Sequence, residues 1–344
     1  MRLVRVMGID IELHWTFLIL LVLILLTGGL SSVAIAVILF TSVVLHELSH
    51  SYVARMFRVA VRRIILLPIG GMSVIEELSM PPATEFWVAL AGPASSFALA
   101  LLSALVEMSV GDPSTQLVAG VAKEANLILG AFNLLPAIPL DGGRVWRAWR
   151  QRGHSFLAAT REAVLLSRVV VGVLLLISML FFLLLGAWGF LFWNTIIALF
   201  IYVGSGMEYD VALFRTAADG IFIRDVMRPE VVCASGEETL EEAFDLAKSA
   251  KVRNLLIVNE KFGVVNLASF EKVPRSEWGK RRIRQLSVHP IRAHPDDSAL
   301  EVWKKMRAHD VELAPVMENG TLVGVVTETD IERLIYLNKL SLVA

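Results

Sequence analysis

His46, Glu47 and His50 stand in the order H-E-x-x-H within the stretch TSVVLHELSHSYVARMF, residues 41 to 57. At 3.6 residues per turn the two histidines lie one above the other on a single helical face. Two imidazoles so placed can share one Zn²⁺, and the neighbouring Glu47 can serve as general base on an attacking water. A catalytic zinc needs three protein ligands and one open position. The surroundings sharpen the expectation. Residues 33 to 45 before the motif are almost wholly apolar, and ionisable groups inside a membrane segment are costly and usually functional.

The third ligand must come from elsewhere in the chain. The stretch AFNLLPAIPLDGGRVWRAWR ends an apolar run at residues 131 to 150. Pro136 and Pro139 stop regular helix there, and Gly142-Gly143 allow close backbone approach just after Asp141. Asp141 is therefore the best candidate third ligand. Its alternative reading is a capping residue for a short helix over Val145 to Arg150. Asn133 has two readings, a helix-packing hydrogen bonder or a contact to substrate backbone. His14, His154, His289, His294 and His309 show no ligand spacing, and Lys123, Glu124 and Asn126 are given no role.

The elements that must position these groups read as membrane spans. The 344 residues have mean hydropathy +0.64, and 19% charged residues against the roughly 25% of soluble domains. Six segments approach the 17 to 25 residues of a span: about 13–30, 33–57, 85–106, 117–136, 164–185 and 188–203. Arg2 and Arg5, then Arg55 to Arg63, then Arg144 to Arg161 fall on one side of them, while the opposite connections carry no Lys or Arg. The positive-inside rule places the N-terminus and everything after the last span in the cytoplasm of a multi-pass cell-membrane protein. A net charge of −1 gives no basic field for nucleic acid. The single Cys233 cannot form an internal disulfide. The first apolar run has no small-residue cleavage site, so no removable signal peptide is expected.

Between the second and third spans, Val59 to Val61 and Ile64 to Leu67 are β-branched or apolar, and Gly70-Gly71 is a turn signal. Short strands are expected, either as an ordinary hairpin or as an edge that pairs with an extended substrate. From about Asp219 the composition becomes that of a soluble α/β domain, and it repeats after about sixty residues. Each unit reads as strand, helix, strand, strand, helix. Leu240, Leu246 and Val252 take the places of Leu300, Met306 and Val311.

HELSH in one membrane segment and NLLPAIPLDGG after another together resemble the site-2 proteases, the intramembrane zinc metalloproteases, over about residues 1 to 205. The resemblance implies His46, His50 and Asp141 as ligands of one Zn²⁺, Glu47 as catalytic base and Asn133 as a substrate or oxyanion contact. It places Gly70-Gly71 in a β-hairpin or re-entrant element. Leu140 stands where many members have Pro or Asn. The repeats resemble a pair of CBS domains, which often bind adenine nucleotides through G-x-x-T-x-x-D. Gly324 to Asp330 matches, giving Thr327 and Asp330 as nucleotide contacts, whereas residues 263 to 269 lack both Thr and Asp. A structural or dimerising module, with a homodimer through the CBS pair, is the alternative.

The expectation is an α-helical polytopic membrane domain over residues 1–210 with a short β-hairpin. A soluble α/β CBS pair follows at 219–278 and 279–344. The whole is a zinc endopeptidase that cuts transmembrane segments of other proteins under CBS control. The rival from another class is a transporter or channel gated by the CBS pair, with the His/Asp cluster on an ion path.

Overall fold

The computed structural model describes every residue except 1, 7, 60, 68, 69, 76–79, 259–262 and 344. The chain divides into two compact units, Met1–Ala212 and Leu213–Ala344.

The first unit opens with β1 (Arg2–Val6) and β2 (Ile9–Leu13), then α1 (Trp15–Met56), β3 (Val61–Leu67) and β4 (Gly70–Ile75). The strands form one sheet in the order β1-β2-β3-β4. β2 runs antiparallel to β1 and parallel to β3, pairing Asp10 with Arg63 and Leu13 with Leu66. β3 and β4 form the expected antiparallel hairpin, but the glycines are not its turn. Gly70 pairs with Leu67 and Gly71 with Leu66, so both lie in β4, and residues 68 and 69 fall outside the described residues. β1 and β2 were not expected. Their signal is the alternation I-D-I-E-L over residues 9 to 13, which places Ile9, Ile11 and Leu13 in the core beside Ile64 and Val88.

α1 absorbs the first two expected spans. Its 42 residues are broken at Gly29, whose φ of 68° and ψ of −168° interrupt the helix. His14 caps the N-terminus, its Nδ1 accepting from the Thr16 amide. Next come α2 (Pro82–Ser109), α3 (Pro113–Asn133), α4 (Asp141–Arg150), α5 (Phe156–Leu185) and α6 (Trp188–Ala218). Among the described residues, α1, α2, α5 and α6 are long and apolar enough to cross a membrane. α3 is not among them; it carries Lys123 and Glu124. Large apolar side chains such as Leu30, Met108 and Leu184 are about four-fifths exposed, a surface suited to lipid. Polar groups inside the helices pair with one another. Lys123 Nζ meets Glu107 Oε2 at 2.7 Å, and Asn126 Nδ2 donates to Ser42 Oγ at 2.9 Å.

The second unit contains two similar halves. The first has β5 (Cys233–Ala234), α7 (Leu240–Ala250), β6 (Asn254–Ile257) and β7 (Gly263–Asn266). The second has α8 (Ala299–Ala308), β8 (Leu313–Glu318), β9 (Thr321–Thr327) and α9 (Glu328–Val343). Thr239 caps α7 in a reciprocal pair with Glu242. The repeat is less regular than the alignment suggests. The last helix of the first half is a short 3₁₀ segment, Leu267–Lys272, with Pro274 following it. The leading strand of the second half shrinks to a bridge between Ala293 and Val316, where Pro290 and Pro295 restrict pairing. Leu256, Val264, Leu313 and Val325 join the halves in one apolar cluster.

Candidate metal centre

The helical spacing of His46 and His50 brings their rings edge to face, with centroids 4.8 Å apart. Both are buried, at 3% and 8% exposure. Asp141 reaches them from the first turn of α4. Its Oδ2 lies 3.0 Å from His46 Nε2 and 3.2 Å from His50 Nε2. The structure thus brings together the three side chains that the sequence had paired across ninety-five residues. Asp141 also sits where its alternative reading put it, at the start of a short helix; the N-cap itself is Leu140.

Local packing explains how Asp141 arrives there. A Cβ on Gly142 would lie 2.3 Å from the Leu134 carbonyl oxygen, and one on Gly143 would lie 2.3 Å from the Ile138 nitrogen. No other residue type lets α4 begin so close against the turn that ends α3. Ser167 of α5 holds that turn, its Oγ accepting from the Ile138 amide at 2.8 Å. Ile201 of α6 packs on Ala137 and Leu140 behind it.

The outward ring nitrogens are also committed. His50 Nδ1 lies 2.6 Å from the Val88 carbonyl oxygen, and His46 Nδ1 lies 2.9 Å from Ser96 Oγ. A carbonyl only accepts, so His50 carries its hydrogen on Nδ1 and presents a lone pair at Nε2. A serine hydroxyl can accept as well as donate, and with His46 donating to Ser96 Oγ its Nε2 would present one too. Two imidazole lone pairs and a carboxylate oxygen then converge, all within 4.8 Å of one another. Three acceptors around one point call for a cation. Two histidines and one carboxylate make a catalytic type of zinc donor set, and their second bonds orient them. Space beside them is kept by Gly92 of α2: a Cβ there would stand 2.2 Å from His50 Nε2 and 2.5 Å from His46 Nε2. The residues fit zinc.

Val88, Gly92 and Ser96 were missed in the sequence. They recur at every fourth position, along one face of α2. The run ALAGPASSFALALLSA reads as small residues for close helix packing, and that composition hides their aim. Glu47 is half-buried on α1, in the turn that joins the two histidines. Asn133 is the last residue of α3, and its Nδ2 donates to the Leu129 carbonyl at 3.1 Å. No contact described here ties Asn133 to the His/Asp cluster.

In the second unit, Thr327 and Asp330 lie at the junction of β9 and α9. Thr327 Oγ1 donates to Asp330 Oδ2 at 2.7 Å and accepts from the Asp330 amide at 3.2 Å. Asp330 Oδ1 is held by the Arg228 guanidinium. In the first half, Asn266 and Ser269 are taken up in a local turn: Asn266 Oδ1 accepts from the Ala268 amide, and Ser269 Oγ donates to the Asn266 carbonyl.

A His-Glu-x-x-His helix and a distant carboxylate, on helices with a lipid-type exterior, define a membrane metallopeptidase centre. Comparison with known proteins agrees. The model of peptidase family M50 matches residues 34–125 and 113–177, and that of the CBS domain matches 223–271 and 283–337. Zinc metalloprotease MJ0392 of Methanocaldococcus jannaschii is 32% identical over 344 aligned residues, 96% of this chain and 95% of that protein. Stage IV sporulation protein FB of Bacillus subtilis is 34% identical over 139 residues, 40% of this chain and 46% of its own. Among solved structures, the site-2 protease from Methanocaldococcus jannaschii is similar, with 33% identity. It covers 61% of this chain and 94% of its own, with TM-score 0.47. The chain belongs to peptidase family M50, as a zinc metalloprotease of the site-2 type with CBS domains.

Proposed function

We propose that this protein cleaves transmembrane segments of other membrane proteins, with His46, His50 and Asp141 holding one Zn²⁺ and Glu47 as the base. The observation that carries the reading is the convergence of the Asp141 carboxylate oxygen, from α4, on two oriented imidazole nitrogens of a membrane-type helix that also bears Glu47. When bound, zinc supplies Lewis-acid polarisation of the scissile carbonyl and of the attacking water. Glu47 takes a proton from that water as its oxygen bonds to the carbonyl carbon. Glu47 then returns the proton to the leaving nitrogen as the C–N bond breaks. Val88 and Ser96 keep the two rings in the orientation that directs Nε2 inward. Asn133 commits one amide hydrogen to its own helix and would donate the other to the substrate carbonyl.

β4 ends the sheet order, and its outer edge offers backbone groups to an extended segment. Such pairing would hold the substrate unwound, because a helical segment has its carbonyls already bonded. Six crossings remain the proposed topology. α1 breaks at Gly29, which leaves about 40 Å of helix after it, enough for one span of about 30 Å, and about 21 Å before it, a first span that is short for the hydrocarbon core. α3 would be the sixth. The loop arginines put the N-terminus and the CBS pair in the cytoplasm. The proposed domains are 1–210, 219–278 and 279–344. The CBS pair would take one adenine nucleotide through Thr327 and Asp330, and a homodimer through this pair is the partner state such control would use.

The test is incubation of the purified protein with a model membrane substrate, with and without a chelator. Cleavage that stops with chelator and returns with zinc is expected. Cleavage indifferent to chelation would remove the zinc from the reading, and ion flux without any cleavage would replace it with the transporter.

A further inference from the structure

The arginines of α4 read as loop charges in the sequence, yet one of them is the most thoroughly enclosed charge in this part of the fold. Arg147 is 6% exposed. Its Nε donates to Glu85 Oε1 at 2.9 Å, and Nη2 meets the same oxygen. Its Nη1 donates to Glu208 Oε2 at 3.0 Å. Gln151 Nε2 donates to the second Glu85 oxygen at 2.9 Å, and Arg144 Nη2 lies 3.6 Å from Glu208 Oε1. One guanidinium therefore joins three helices: α4, which begins with Asp141; α2, on which Glu85 stands one turn before Val88; and α6, which carries Glu208. Asp141 and Val88 are the groups that close on His50 from opposite sides. A buried arginine whose rigid, planar guanidinium holds one oxygen of each of two carboxylates fixes direction as well as distance.

We propose that Arg147, clamped by Glu85 and Glu208, is a positioning residue that sets Asp141 against the histidine pair, so that its effect on the metal runs through Asp141. The inference rests on the zinc reading of the cluster. The glycines anchor the first turn of α4 against the preceding turn, but a short helix fixed at one end can still swing. The ion cluster fixes the other end, two turns on, against the same helix that orients the imidazoles. A slip of α4 by a fraction of an ångström would change the His50–Asp141 separation of 3.2 Å directly.

The experiment is a double-mutant cycle read as zinc affinity of the purified full-length chain, by chelator competition. Arg147→Lys keeps the charge and loses the fork; Glu208→Gln loosens the α6 side and is the milder variant. Each is expected to weaken zinc about ten- to a hundred-fold, the usual range for a residue that supports a ligand. In an Asp141→Ala background the same changes are expected to add nothing. Glu107→Gln, which breaks the Lys123 pair between α2 and α3, is the comparator and is expected to leave zinc affinity unchanged. Unchanged affinity in both clamp variants would overturn the proposal. So would a loss of equal size with and without Asp141, or in the comparator, since each marks a general loosening of the fold. Wild-type affinity in Asp141→Ala alone would instead sink the zinc reading beneath it. A cleavage assay gives the second readout: kcat should fall in the clamp variants with KM nearly unchanged.

Discussion

The hydrogen on Nδ1 of His50 decides what its Nε2 can do. Because the Val88 carbonyl takes that hydrogen, the inner nitrogen is left as a donor of electrons, and the ring cannot flip without breaking a buried bond. In the proposed reaction Glu47 is different in kind, since it would exchange a proton and not hold a metal. Glu47→Gln is expected to keep full zinc content and to lower kcat by about a hundred- to ten-thousand-fold, the share general acid–base catalysis commonly supplies. Near wild-type turnover would remove Glu47 as the base. Gly92→Ala puts a methyl group where the two Nε2 atoms face, and loss of bound zinc is expected by metal analysis. Full occupancy in that variant would mean that the metal sits elsewhere. His46, Glu47 and His50 were legible in the sequence because helical spacing alone puts both rings on one face. Val88 was not, because it acts on His50 through its backbone carbonyl, while its side chain reads only as core. Gly92 was hidden for the opposite reason: its contribution is an absent side chain inside a run of small ones.

At the level of elements, α4 is the piece whose placement matters most. Gly142→Ala would drive a Cβ to 2.3 Å from a backbone carbonyl, and backbone cannot give way as a side-chain tip can. The expected cost is about 1–3 kcal/mol of stability, as for overpacking elsewhere. It should appear as a lower thermal midpoint with chelator present, and as a smaller gain in that midpoint on adding zinc. A midpoint and a zinc response like those of the parent would show that α4 tolerates the shift. The sequence signalled this close approach through the Gly-Gly pair, without saying what was approached. It did not signal the burial of Arg147, because a cationic residue between spans looks the same whether it faces water or two carboxylates sixty residues away in either direction. The strands near the N-terminus were overlooked for lack of length: five alternating residues beside a long apolar run are easily taken as its flank. Gly70 and Gly71 misled in a definite way, since a glycine pair can also lie within a strand where another backbone passes close.

For the molecule as a whole, two expectations concern the CBS pair. Cys233 is the single thiol and is exposed in the second unit, and partial burial pushes it above its usual range. A membrane-impermeant maleimide should leave it unlabelled in intact cells and label it after lysis, faster as pH rises because the thiolate reacts. Labelling of intact cells would reverse the proposed orientation. Calorimetric titration of the full chain with ATP and AMP should find about one site, lost in Asp330→Ala with zinc content unchanged. Because Arg228 already occupies one Asp330 oxygen, ribose must share or displace it, and Arg228→Ala is expected to change affinity where Asn266→Ala does not. No binding at millimolar nucleotide would leave the pair as a docking or dimerising module. The long separation of Arg147 from Glu208 has a further consequence, one of timing. The ribosome makes Glu208 sixty-one residues after Arg147, about 3 to 12 seconds later at ordinary rates of synthesis. During that interval the histidines, Gly92 and Asp141 already exist, but α6 is not yet there to close behind the turn or to take the second half of the guanidinium. A nascent chain arrested before residue 208 should therefore give up zinc to a chelator faster than one arrested beyond it, and the protease would be complete only when its last membrane helix arrives.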